Sequence, residues 1–219
     1  MKKSEQMSES LKLGTILALS GGFMDAYTYL CRGHVFANAQ TGNIILFAIH
    51  LSDGNFKIAI RYIVPIIAFT CGIVIADLVR FQYKQRENIH WRQITVLTEA
   101  IILFMVSFLP QEANLLANSM VSFACGIQVE SFRKIKGNGI ATTMCIGNLR
   151  TATQALCDYC YEKEKKNLKK SLLTYGVIVI FAIGAVLGNS CVGLYQERAI
   201  LISSGLMLIG FFLMFQKER

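Results

Sequence analysis

Long stretches with almost no charge, separated by short basic segments, constrain this chain more than any other feature. A membrane-spanning helix needs about 20 mostly apolar residues. Six stretches qualify: roughly 13–30, 58–79, 94–110, 115–131, 171–193 and 199–215. Composition agrees, at 53% hydrophobic and 16% charged residues, where a soluble domain carries about 25% charged. The mean hydropathy is +0.45. These values exclude a disordered or collagen-like chain. The net charge of +8 does not point to nucleic acid, because its cations lie in the gaps between apolar stretches. Met1-Lys2-Lys3 imitates the start of a signal peptide. However, the apolar stretch begins late, near Leu13, and runs into Asp25, Tyr27 and Tyr29 instead of a small-residue cleavage site. It reads as a retained first span.

Two further stretches, about 33–51 and 137–156, are too polar to be plain spans. The first holds Asn38, Gln40 and Asn43 before the short apolar run Ile44–Leu51, and the second holds Thr142, Thr143, Asn148, Arg150 and Thr151. Each either crosses or dips in and returns. Cytoplasmic loops are enriched in Lys and Arg, and that decides between the two. With both stretches re-entrant, segments 1–12, 80–93, 131–138, 157–170 and the tail after 215 share one side with seventeen Lys/Arg; the other side has four, Arg32, Lys57, Arg61 and Arg198. With both crossing, the division is twelve against nine. Six crossings with both termini cytoplasmic is the expected topology.

An internal repeat points the same way. At an offset of 105, Gly21, Asp25, Tyr27, Gly42 and Asn43 align on Gly126, Glu130, Phe132, Gly147 and Asn148. At an offset of 112, Phe69, Gly72, Ala76 and Asp77 align on Phe181, Gly184, Gly188 and Asn189. Each half then reads as span, broken segment, span, span. Three crossings is an odd number, so the second half is inverted relative to the first, a plan shared by many transporters. The expected fold is an all-α integral membrane protein in one membrane domain: a cytoplasmic tail (1–12), a first repeat (13–110) and a second repeat (115–215).

Gly21-Gly22-Phe23-Met24-Asp25-Ala26-Tyr27, followed by Thr41-Gly42-Asn43 and later Gly126-Ile127-Gln128, resembles the YoaK family of bacterial multi-pass membrane proteins, whose function is unknown. The resemblance covers nearly the whole chain. It implies a protein of the bacterial inner membrane and brings no catalytic residues. The second half departs from the first, with Ile146 where Thr41 stands and Val129-Glu130 in place of the expected Asn-Ala.

Non-helical backbone survives in a bilayer only when buried in protein or lining a wet cavity. Gly42 and Gly147 are expected to supply the permissive backbone, with Asn38 and Thr41 capping the short helix that follows. Two half-helix ends meeting at the midplane would form a polar, anion-attracting site. The candidate solute-binding residues are therefore Asp25, Asn38, Thr41, Gly42, Asn43, Thr143, Gly147, Asn148 and Arg150. The alternative is that the turns only let helices pack closely. Asp25, deep in the first span, is a candidate proton carrier or coupling-cation ligand, or else a structural tie to a broken segment. Asp77 and Glu130 are further coupling candidates; Glu130 also reads as a solvated end residue beside Arg133. Glu99 near a helix start is favoured by the dipole without any function. Arg150 either reaches inward to Asp25 or an anion, or snorkels to the interface.

Cys157 and Cys160 form one C-x-x-C without a second pair, and structural zinc normally wants four ligands. No metal or cofactor is expected, and no enzymatic constellation is present. The Lys163–Lys170 run is expected to face anionic lipid headgroups, and a homodimer is compatible with so short a chain. The leading expectation is a small transporter or channel for a small polar or anionic solute, possible proton coupling resting with Asp25. The alternative is a non-transporting scaffold or lipid- or partner-binding protein.

Overall fold

The computed structural model describes residues 9–83 and 91–215. Parts of three expected basic segments, residues 1–8, 84–90 and 216–219, lie outside the described residues. Eight α-helices account for most of what is described. They are α1 (Leu11–Cys31), α2 (Gln40–Ser52), α3 (Phe56–Tyr83), α4 (Trp91–Val106), α5 (Asn114–Ser131), α6 (Cys145–Glu162), α7 (Lys165–Tyr195) and α8 (Leu201–Leu213). A two-stranded antiparallel hairpin, β1 (Lys134–Ile135) and β2 (Asn138–Gly139), lies between α5 and α6.

Helices α3 and α7 show how this sequence is distributed. The buried residues of α3 are Ala59, Tyr62, Pro65, Gly72 and Ala76, while Ile60, Ile67, Val74, Ile75 and Leu78 face outward. In α7 the buried set is Ser171, Thr174, Val177, Gly184 and Gly188, and Leu172, Val179, Ile183, Val186 and Leu187 face outward. Small residues inside and large aliphatics outside is the arrangement of helices packed in lipid, where close backbone approach replaces the hydrophobic drive. Phe56–Tyr83 and the stretch Lys165–Leu213, which holds α7 and α8, are long and apolar enough to cross a membrane.

Glycines decide the helix pairing. α3 packs most extensively on α5, and α1 on α7. A Cβ on Gly22 would collide with the carbonyl of Phe181, and one on Gly184 with that of Leu19. On the other side, a Cβ on Gly72 would meet the carbonyl of Phe123, and one on Gly126 that of Phe69. The third helix of each half thus lies against the first helix of the other. α4 and α8 pack together, tied by Ser204 Oγ donating to the Ala100 carbonyl at 2.8 Å.

Several expectations change. The stretches 94–110 and 199–215 hold shorter helices, of 16 residues in α4 and 13 in α8. A turn with Ser107, Leu109 and Pro110 ends the first, and Gln196 at φ 48° with the 3-10 turn Gln196–Ile200 delays the second. Residues 157–170, expected as a loop, are helical up to Glu162 and again from Lys165. Lys and Glu are good helix formers, and no Gly or Pro interrupts them; Lys163, in the left-handed conformation at φ 57°, makes the turn. Gly42 and Gly147 lie inside α2 and α6 and do not form the breaks. The backbone reverses instead at Gly33 and His34 (φ 84° and 61°) and at Lys136 and Gly137 (φ 48° and 72°).

Candidate functional site

Helix α1 is buried without interruption from Ser20 to Asp25, apolar and polar faces alike. A helix enclosed on all sides sits at the centre of its bundle, so Asp25 is carried into the interior by its own element. Its Oδ1 accepts the backbone N–H of Asn38 at 2.7 Å, and the N–H groups of Ala37 and Ala39 also point to the carboxylate. These amides belong to the turn just before α2, so a carboxylate on the preceding span braces the chain where it enters that helix. Neither expected cap closes α2: the helix has no side-chain cap hydrogen bond, and Thr41 is exposed. Asn38 instead donates Nδ2 to the Gly21 carbonyl at 3.1 Å.

Asn43 and Asn148 hold the two breaks by the same device. Asn43 Oδ1 accepts the Phe36 N–H at 3.0 Å, and its Nδ2 donates to the Phe36 carbonyl at 2.7 Å. Asn148 Oδ1 accepts the Ala141 N–H at 3.2 Å, and its Nδ2 donates to the Ala141 carbonyl at 2.5 Å. In both halves the clamp reaches seven residues back. Asn43 Nδ2 also meets Gln40 Oε1 at 2.9 Å. The second break is tied to the core by Gln128, whose Nε2 donates to the Leu17 carbonyl and to Thr142 Oγ1, each at 3.1 Å.

The breaks converge on one turn of α1. Asn38 bonds the carbonyl of Gly21, while a Cβ on Gly21 would lie 3.1 Å from the Thr143 methyl and 3.4 Å from the Thr142 carbonyl. Asp25, Asn38, Asn43, Thr143 and Asn148 are thus gathered on the inside. Thr41, Gly147 and Arg150 are exposed. A Cβ on Gly42 would touch the Phe36 ring at 2.9 Å, whereas one on Gly147 meets nothing. Arg150 therefore does not pair with Asp25; it projects from the outer face of α6, whose buried side is Asn148, Ala152 and Ala155.

The other acids separate into two kinds. Asp77 pairs with Arg80 one turn away, and Glu130 pairs with Arg133 and lies 3.9 Å from Arg80. Glu130 is buried, not solvated, and the two acids with the two arginines form a charge network at one end of α3 and α5. That argues against either as a free coupling group. Glu99 is the opposite case. It is fully buried, with neither carboxylate oxygen hydrogen-bonded among the described residues. Its position in α4, between the buried Val96 and Leu103, places it beyond the first turns where a dipole would account for it. The buried Cys125 places its sulfur 3.8 Å from Met24 Sδ.

Arg32 was counted as a loop cation, yet it is 1% exposed. Its guanidinium donates to Tyr27 Oη (2.8 Å), the carbonyls of Val106, Leu109 and Pro110 (3.2, 2.9 and 3.2 Å) and Asn114 Oδ1 (3.2 Å). The charge is held by the carbonyl end of α4, where the dipole is negative. Neither Arg32 nor Glu99 could be singled out from sequence spacing. Arg32 finds its partners some 75 residues away, and the isolation of Glu99 depends on what surrounds it.

No solved structure matches this chain. It is 26% identical over 185 residues to the UPF0700 transmembrane protein YoaK of Bacillus subtilis (strain 168), covering 79% of this chain and 80% of that relative. The family model described as protein of unknown function (DUF1275) matches residues 13–213. With a match of that extent, and with lipid-style packing in α3 and α7, the chain belongs to the DUF1275 family and is a membrane protein.

Proposed function

We infer that the protein is a small transporter or channel for a small polar solute, with coupling through buried carboxylates and a site where the two broken segments meet on α1. Glu99 carries this reading. An ionisable side chain within a membrane protein costs about 2.5–3.5 kcal/mol at a helix centre and marks ion or substrate paths by default. A carboxylate with no partner has capacity left for a proton or a cation. Asp25 supplies a second carboxylate at the junction of the breaks.

The architecture proposed is a 3+3 inverted repeat with re-entrant segments and both termini cytoplasmic. Support comes from the exchanged pairing of α1 with α7 and α5 with α3, from the matching Asn43 and Asn148 clamps, and from the seventeen-to-four charge asymmetry. Asp25 faces the turn that leads into α2, where its carboxylate would repel an anion, and Arg150 faces outward. The proposed solute is accordingly neutral-polar or cationic instead of anionic. The bacterial inner membrane is the proposed location.

The test is proton movement in proteoliposomes carrying an internal pH dye, challenged with panels of amino acids, polyamines and sugars. A solute-dependent signal is expected in the parent protein and its loss in Asp25→Asn and Glu99→Gln. A signal indifferent to both substitutions would overturn the reading. A second reading, a non-transporting scaffold or partner-binding protein, is favoured by the closed hydrogen bonding of Asn43 and Asn148. It predicts that the same substitutions change stability only.

A further inference from the structure

A basic cleft of about 710 Å³ lies between the hairpin and the start of α7, lined by Lys136, Gly137, Asn138, Lys166, Lys169, Lys170 and Leu173. Its cations come from two elements. Lys136 and Gly137, both with positive φ, form the two-residue turn of the hairpin, the backbone that suits a primed β-turn. Lys166, Lys169, Lys170 and Leu173 follow the i, i+3, i+4, i+7 spacing that puts them on one face of a helix.

The cleft is anchored. Ile135 and Ile140 of the hairpin pack with Val177 and Ala18, and Leu173 leans on that cluster. The Lys136 N–H donates to the Glu9 carbonyl at 2.8 Å. No acid lines the cleft, and none of its four lysines has an acidic partner among the described residues. The Glu9 carboxylate lies 3.8 Å from the Arg92 guanidinium, and that of Glu162 accepts from Asn167 at 2.9 Å. Four like charges converging without a counter-ion repel one another, and the arrangement is relieved by an anion of high charge density.

We propose that this cleft is a binding site for a phosphate-bearing group. Lysine binds phosphate as a point charge on a flexible stem, and four from two elements surround a dianion more completely than one helix face. Helix α7 changes from charged to apolar just past Lys170, so the cleft stands at the level where lipid phosphates lie. The same chemistry would take a soluble phosphate compound. The site is independent of the transport reading, since none of its residues belongs to the central junction.

The full-length chain in neutral detergent is titrated with dioctanoyl phosphatidic acid and, separately, with pyrophosphate. One variant combines Lys166→Gln, Lys169→Gln and Lys170→Gln. A charge-matched control combines Lys134→Gln, Lys163→Gln and Lys165→Gln, all outside the cleft lining. Saturable binding of at least one probe is expected, weakened at least tenfold in the cleft variant and less than threefold in the control. The corresponding Lys→Arg triple should keep most of the affinity, and equal melting temperatures confirm that the variants fold. Binding of the lipid alone identifies a headgroup site, and binding of pyrophosphate identifies a soluble ligand. No saturable binding of either probe, or equal loss in cleft variant and control, would overturn the proposal.

Discussion

Asp25 and Glu130 occupy equivalent places, 105 residues apart, but the structure uses them differently. Asp25 is held by backbone amides of the turn that leads into α2. Glu130 is held by arginine side chains, and the second break begins with a hairpin that needs no carboxylate. The first break adds one buried acid to its Asn43 clamp, while the second adds Gln128 and the packing of Ile135 and Ile140 to that of Asn148. Similar sequence positions can thus share a clamp without sharing an anchor.

This contrast is open to direct attack. Asp25→Ala should have the largest effect, about 3 kcal/mol of lost stability, because it leaves buried amides in the turn before α2 unpaired. Unfolding in mild detergent would measure it, and a loss below that of Glu130→Ala would erase the distinction. Asn43→Ala should cost about 2 kcal/mol and somewhat more than Asn148→Ala, since Asn43 has Gln40 as an additional partner. The same unfolding assay ranks the two, and the reverse order would place the heavier load on the second clamp.

Glu130→Ala should cost about 1 kcal/mol, with a loss that shrinks as salt is raised, because its arginine partners are substantially exposed. Salt-independent destabilisation would mark it instead as a buried tie like Asp25. Glu99→Leu should raise the melting temperature, as replacement of an unpartnered buried carboxyl by an apolar group removes a desolvation cost. A lowered melting temperature would show that Glu99 has a stabilising partner. At the small end, Gly147→Ala should change stability by less than about 0.5 kcal/mol, the range for open positions. Gly42→Ala should cost more, because its Cβ would press on the Phe36 ring at 2.9 Å.

Much of the inner face of the first break was legible in the sequence. Asp25, Asn38 and Asn43 stand out because polar residues within apolar stretches are expensive, and costly residues are conspicuous. Thr41, Gly147 and Arg150 looked equivalent by spacing but are exposed, since spacing alone does not say which side of α2 or α6 meets the core. Glu99 passed as a helix-start residue because its distance from every partner is a property of space and not of order along the chain.

Apolar run length, the basic segments between the runs and the spacing of the paired motifs were set by the linear chain, because bilayer thickness and the cost of buried charge act on any sequence alike. The tertiary structure decided the rest. Whether a glycine ends in a turn or under a neighbouring carbonyl, whether Arg32 is solvated or saturated by α4, and which acid keeps an unpaired oxygen depend on contacts between helices far apart in sequence. Those contacts form only when backbones close to within an atom's width, a condition that residue order permits but does not impose.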